Sequence, residues 1–134
     1  MRKITELMDN PVPFTDDITH DQYTAYFTIE DVEYTFYSTE ESNKWIIDFE
    51  ASNIGGIGGS TGITGTGNEF IVFATIAAIM KKFIQQYSPE TFSFSAKEKS
   101  RVKLYYAFSQ KIADEWGYEV SVIDGLQSTV FIFT

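Results

Sequence analysis

Residues Asn53 to Asn68 read NIGGIGGSTGITGTGN, and the arrangement of the chain follows from what this stretch separates. A strand-like run, Lys44 to Ala51, ends just before it, and a long apolar run opens just after it at Glu69. Seven of the nine glycines lie between Gly55 and Gly67. Glycine lets a backbone take positive φ or approach another group closely. Asn68 leads into a predicted helix, Glu69 to Tyr87, so the stretch delivers its last backbone N–H groups to a helix N-terminus. Unpaired donors together with the positive end of the helix dipole are the physical means of holding an anion. Taken alone, the stretch is equally compatible with a plain surface connection. A Walker loop is excluded, because no lysine occurs between Lys44 and Lys81. A dinucleotide fingerprint is not supplied by Gly56, Gly58 and Thr61, and the loop is too long for a tight turn between strand and helix.

Moving outward toward the C-terminus, Glu69 to Tyr87 would span ~28 Å as an α-helix. Its first turns are apolar almost all round, with Phe70, Ile71, Val72, Phe73, Ile76, Ala77, Ile79 and Met80, so it should be covered on more than one side. Only the end, with Lys81, Lys82, Gln85 and Gln86, looks solvated. Ser88-Pro89 stops it, and Thr91 to Ala96 alternates like a strand, which suggests a crossover back into the sheet beside Lys44 to Ala51. A second helix is predicted over Lys97 to Trp116, with the stripe Leu104, Phe108, Ile112 and Trp116 and a stop at Gly117. Strands Tyr118 to Ile123 and Ser128 to Thr134 then form a hairpin across Asp124-Gly125.

Toward the N-terminus, Tyr23 to Ile29, Val32 to Ser38 and Lys44 to Ala51 predict an antiparallel meander, with Glu30-Asp31 as one tight connection and Thr39 to Asn43 as the other. Residues 1–22 are expected to be a short helix over 3–9, ended by Pro11-Val12-Pro13, followed by a loop through Phe14 to Gln22. The order β-β-β, glycine loop, α-β-α-β-β predicts an α+β (mixed α/β) fold in one domain, residues 1–134.

Composition narrows the function classes. The chain has no cysteine, so disulfides, thiolate catalysis and cysteine-ligated zinc are excluded, and a reducing, intracellular compartment is compatible. No stretch reads as a signal peptide, and Phe70 to Met80 is too short to span a bilayer, so a soluble protein is expected. The net charge of −9 is confined to residues 1–50, which carry twelve acids against three bases. Such a half repels phosphate backbones, which argues against ordinary nucleic-acid binding and suits either solubility or an acidic surface that meets a basic partner or a basic substrate, or that imitates DNA. His20, the only histidine, sits in a polar segment with no partner for a triad or a metal, and is given no role.

The order strand, glycine loop, helix, strand, then a helix carrying Leu104-Tyr105, then Gly117-Tyr118 and a strand, resembles the core of the GCN5-related N-acetyltransferase (GNAT) superfamily. Gly62-Ile63-Thr64-Gly65-Thr66-Gly67 matches the last two fixed positions of its Gln/Arg-x-x-Gly-x-Gly/Ala motif, and Gly62 departs from the first. The combination ITGTGNEF, VFAT, FSFSA and RVKLY is also similar to small GNAT-like proteins of tailed phages. The resemblance covers Lys44 to Ile123. It implies acetyl-CoA as cofactor, cradled at its pyrophosphate by the N–H groups of Gly65, Thr66, Gly67 and Asn68, with Arg101 and the lysines at 97, 99 and 103 near its phosphates. Its pantetheine arm would lie where Lys44 to Ala51 and Thr91 to Ala96 splay. Tyr105 would protonate the leaving thiolate, and Glu50 or Asp48 would help deprotonate an amine acceptor through water. Phage origin would place the protein in the host cytoplasm or in the virion. Residues 1–22 are too few for the strand and two helices with which the family begins and which build much of the acceptor site. The residues alone also allow Tyr105 as a core tyrosine, the lysines as a solvated face, and Glu50 and Asp48 as outward strand residues. The alternative function is a catalytically silent, acidic interaction protein of the same fold, an inhibitor of a host factor or a virion component, with its oligomeric state open.

Overall fold

The computed structural model describes residues 11–53, 59–61, 69–96, 102–126 and 128–134. Among these residues eight strands and two helices follow in the order β1 (Thr15–Ile18), β2 (Gln22–Ile29), β3 (Val32–Glu41), β4 (Lys44–Asn53), β5 (Gly59–Thr61), α1 (Glu69–Tyr87), β6 (Phe92–Ala96), α2 (Val102–Trp116), β7 (Val120–Asp124) and β8 (Thr129–Phe133). The strands form one sheet in the order β1-β2-β3-β4-β6-β8-β7, with β5 beside β4 off that path. Among the described residues every pairing is antiparallel except β4 with β6, which the α1 crossover makes parallel.

The meander is built on period-two alternation. Tyr23, Ala25, Phe27 and Ile29 of β2 are buried, as are Tyr34, Phe36 and Ser38 of β3 and Trp45 and Ile47 of β4. The register sets Ala25 opposite Phe36 and Phe36 opposite Phe49, so these side chains share one face. The same face continues through Phe92 and Phe94 of β6 to Phe133 and Phe131 of β8. Both helices cover that face. Phe83 of α1 meets the rings of Tyr23, Phe36, Trp45 and Phe92, and Phe108 of α2 meets Phe49, Phe73 and Phe94. The opposite face carries the alternate residues and no helix of the described residues.

The α1 bounds agree with the sequence expectation. Val72 to Ile76, Ile79, Met80, Phe83 and Ile84 are buried, whereas Lys81, Lys82, Gln85 and Gln86 are exposed. Its outer side meets residues 11–14. The Val12 N–H donates to Thr75 Oγ1 at 3.0 Å, and the Thr75 hydroxyl donates to the Ile71 carbonyl at 2.9 Å. Ser88, at positive φ, ends α1 with its N–H on the Ile84 carbonyl. Gly117 ends α2 at φ 77°, as its place after the apolar stripe predicts.

Three local expectations are corrected. Thr15–Ile18, expected as loop, is an edge strand paired with Tyr26 to Tyr23. The connection expected at Thr39 to Asn43 shrinks to Ser42-Asn43, because Glu40 and Glu41 continue β3 opposite Trp45 and Lys44. The glycine-rich stretch is not all connection, since Gly59–Thr61 pairs with Glu50 to Ser52. Residues 3–9 lie outside the described residues. No helix among the described residues is long and apolar enough to cross a membrane.

Candidate functional site

The sheet parts at its one parallel pairing. Trp45, Ile46 and Ile47 lie beside Phe92, Ser93 and Phe94, and there the register ends. β4 runs on to Asn53 along β3, while Ser95 and Ala96 of β6 stay with Val130 and Thr129 of β8. Past Ile47 the two strands therefore no longer share a ladder. From Glu50 to Ser52 the side of β4 turned away from β3 is taken by β5. Asp48 and Phe49 on one side, and Ser95 and Ala96 on the other, border the gap.

Phe49 and Glu50 show what this geometry presents. The Phe49 ring packs under the helices with Phe36, Phe94 and Phe108. Glu50, one residue on, faces the other way and is exposed, as is Asp48. Tyr105 sits on the covered side. It is 1% exposed, with ring centroids 5.2 Å from Phe73, 6.1 Å from Phe94 and 6.4 Å from Phe131. The sheet thus separates Tyr105, on its covered side, from Glu50, on its exposed side. Beneath β2–β4, a void of ≈ 10 Å³ lined by Phe27, Tyr34, Phe49 and Ile76 among others has room for about one water. Gly65, Thr66, Gly67, Asn68 and Arg101 lie outside the described residues, as do Lys97 and Lys99. Lys103 is exposed on α2, in keeping with a solvated face. His20 is exposed beside Asp21.

A polar cluster that sequence reasoning missed clasps β1 to the end of α1. The Tyr23 hydroxyl donates to Asp16 Oδ2 at 2.9 Å, and Lys82 forms an ion pair with the same carboxylate. Burial pushes the Asp16 pKa up, but the hydrogen bonds from Lys82 and Tyr23 and the lysine charge outweigh it, and the carboxyl titrates below its usual value. Burial, and then the Asp16 carboxylate, push the Tyr23 hydroxyl well above the usual tyrosine range. Next to this clasp the Tyr87 hydroxyl faces the Thr19 and Gln22 carbonyls, which ties the β1–β2 turn to the same helix end. The available signal was Lys82 closing an apolar helix, with an acid pair at Asp16-Asp17 and no other assigned partner. Among the described residues no group of three or more histidine, cysteine or acidic side chains is placed to hold a metal ion.

No protein-family model matches this chain, and no curated protein matches it either.

Proposed function

We propose that this chain binds acetyl-CoA and transfers its acyl group to an amine, in the manner of a GNAT-type N-acyltransferase of a tailed phage. The observation that carries the proposal is the parting of β4 from β6 after Ile47 and Phe94, with α1 opening directly after the segment Gly65 to Asn68. An extended arm entering the gap would find backbone groups at Ser95 and Ala96 that, among the described residues, have a strand neighbour on one side only, the condition for strand addition. The carrier would supply an activated thioester. At its carbonyl carbon the C–N bond forms and the C–S bond breaks. Glu50, on the open side, takes the amine proton through water, and Tyr105, on the covered side, gives a proton to the thiolate. The Tyr105 ring is packed by Phe73, Phe94 and Phe131, so this donation requires the gap to open down to it.

The test is a thermal melt with acetyl-CoA. At a hundred times its dissociation constant the ligand adds ~2.7 kcal/mol of stability, and an unchanged melting temperature at millimolar ligand sinks the proposal. Where a shift is seen, Tyr105→Phe should keep the shift and slow turnover; equal turnover removes Tyr105 from the chemistry.

One observation favours a second reading, an acidic interaction protein without catalysis. β5 occupies the β4 edge from Glu50 to Ser52, where a bound arm would continue, so the chain itself satisfies those strand groups.

A further inference from the structure

The face of the sheet that carries no helix among the described residues is uneven in chemistry. Thr24 of β2, Tyr37 of β3 and Asp48 of β4 form one cross-strand row, and Tyr26, Thr35 and Glu50 form the next. Tyr26 is 44% exposed, and Tyr37 and Ile46 are each 41% exposed. Side chains directly opposite in neighbouring strands have Cβ atoms about 5 Å apart, so the Tyr37 ring and the Asp48 carboxylate can contact one guest group together. Asp17 and Glu33 stand on the same face by alternation, and Lys44 is its only basic residue among the described strands. Among the described residues none of Asp17, Glu33, Asp48 and Glu50 is in an ion pair. Beside the rows lies a hollow of ≈ 360 Å³ bordered by Glu41, Lys44, Ile46, Thr91, Ser93 and Ile132.

We propose that this face docks an extended basic segment of another protein, with guanidinium or ammonium groups between Tyr37 and the carboxylates of Asp48 and Asp17, and one apolar side chain in the hollow at Ile46 and Ile132. A cation gains from a tyrosine ring and a carboxylate at once, and arginine gains most because its planar head both stacks and pairs. Four uncompensated acids repel nucleic acid and anionic lipid headgroups. A purely apolar partner would leave those acids desolvated and unpaired. The inference rests on the second reading, that of an interaction protein, and is independent of acyl transfer.

The test uses the full chain and a fluorescein-labelled peptide of alternating arginine and leucine, followed by anisotropy at rising salt. Binding should weaken with salt, and a glutamate–leucine peptide should not bind. Asp17→Lys with Asp48→Lys should weaken binding at least about tenfold, and Tyr37→Ser or Ile46→Ser should weaken it several-fold, each with the melting temperature held. Asp114→Lys with Glu115→Lys makes the same charge change on exposed α2 and should have little effect. Equal loss from both double variants places binding elsewhere and overturns this face while leaving the interaction reading in place. No binding of the arginine–leucine peptide overturns both. Sedimentation of the free chain as a dimer that Ile46→Ser breaks makes the occupant a second copy, and likewise overturns the proposal.

Discussion

The two faces of one sheet divide the work of the molecule. On the covered face, β2, β3, β4, β6 and β8 contribute rings that touch α1 and α2 in a continuous network. On the open face β2, β3 and β4 show threonine, tyrosine and carboxylate to water. Stability is therefore concentrated on one side of a surface a few ångströms thick, and the other side is free to vary in chemistry. Asp16 apart, the strand carboxylates Asp17, Glu33, Asp48 and Glu50 stand on the side that folding needs least, which is where a partner can meet them.

The sharpest way to break this comparison is a pair of aromatic deletions. Phe94→Ala removes a ring packed against Phe49, Tyr105, Phe108 and Phe131, and should cost about 3–5 kcal/mol in urea unfolding. Tyr37→Ala on the open face should stay within about 0.5 kcal/mol. Comparable losses would mean that the open face is part of the core.

A smaller loss is expected at the outer side of α1. Thr75→Val keeps the shape but leaves the Val12 N–H without its acceptor, for a cost of about 1–3 kcal/mol. Hydrogen exchange at Val12 should accelerate in that variant, and unchanged exchange would separate residues 11–14 from the helix.

The smallest effect belongs to the β1 clasp, and pH gives its sign. The folded-state pKa of Asp16 lies below its unfolded value, so its contribution is present above that unfolded value and is lost as pH falls through the folded pKa. Lys82 is 48% exposed, so solvent screening limits Lys82→Met to about 0–1 kcal/mol at pH 7. The difference between variant and parent in urea midpoint should shrink on acidification and close once Asp16 is protonated. A difference that persists there would belong to packing of the lysine stem.

Much of the covered face was legible because its signals are local. The apolar run from Phe70 to Met80, stopped at Ser88-Pro89, gives α1, and the alternation in YTAYFTI and VEYTFYS gives β2 and β3. β1 was missed because Asp16-Asp17 interrupt TDDI with poor strand formers, and the segment is held by its ladder with β2, by Tyr23 and by Lys82 of α1. The tail of β3 was missed because Thr39-Glu40-Glu41 is polar, although Ser42 and Asn43 take the positive φ of a tight turn. At the candidate site, alternation alone could have turned Glu50 away from Phe49. The depth of Tyr105 could not be read, because a tyrosine beside Tyr106 on one helix is buried or exposed according to which rings pack on it; Tyr106 is in fact exposed.

The lone parallel ladder also bears on the order in which the molecule assembles. β1 to β4 close through short turns, whereas Trp45 meets Phe92 only after the whole glycine-rich stretch and α1 have been spanned. Loop closure over such a distance is paid before any contact repays it, so the meander is expected to form first and the β6–β8–β7 half to dock late. During that interval Trp45 to Ile47 of β4 lack their β6 neighbour, and β6 from a neighbouring chain can pair there in the same register. Concentrated refolding should therefore yield exchanged dimers, and dilution should prevent them.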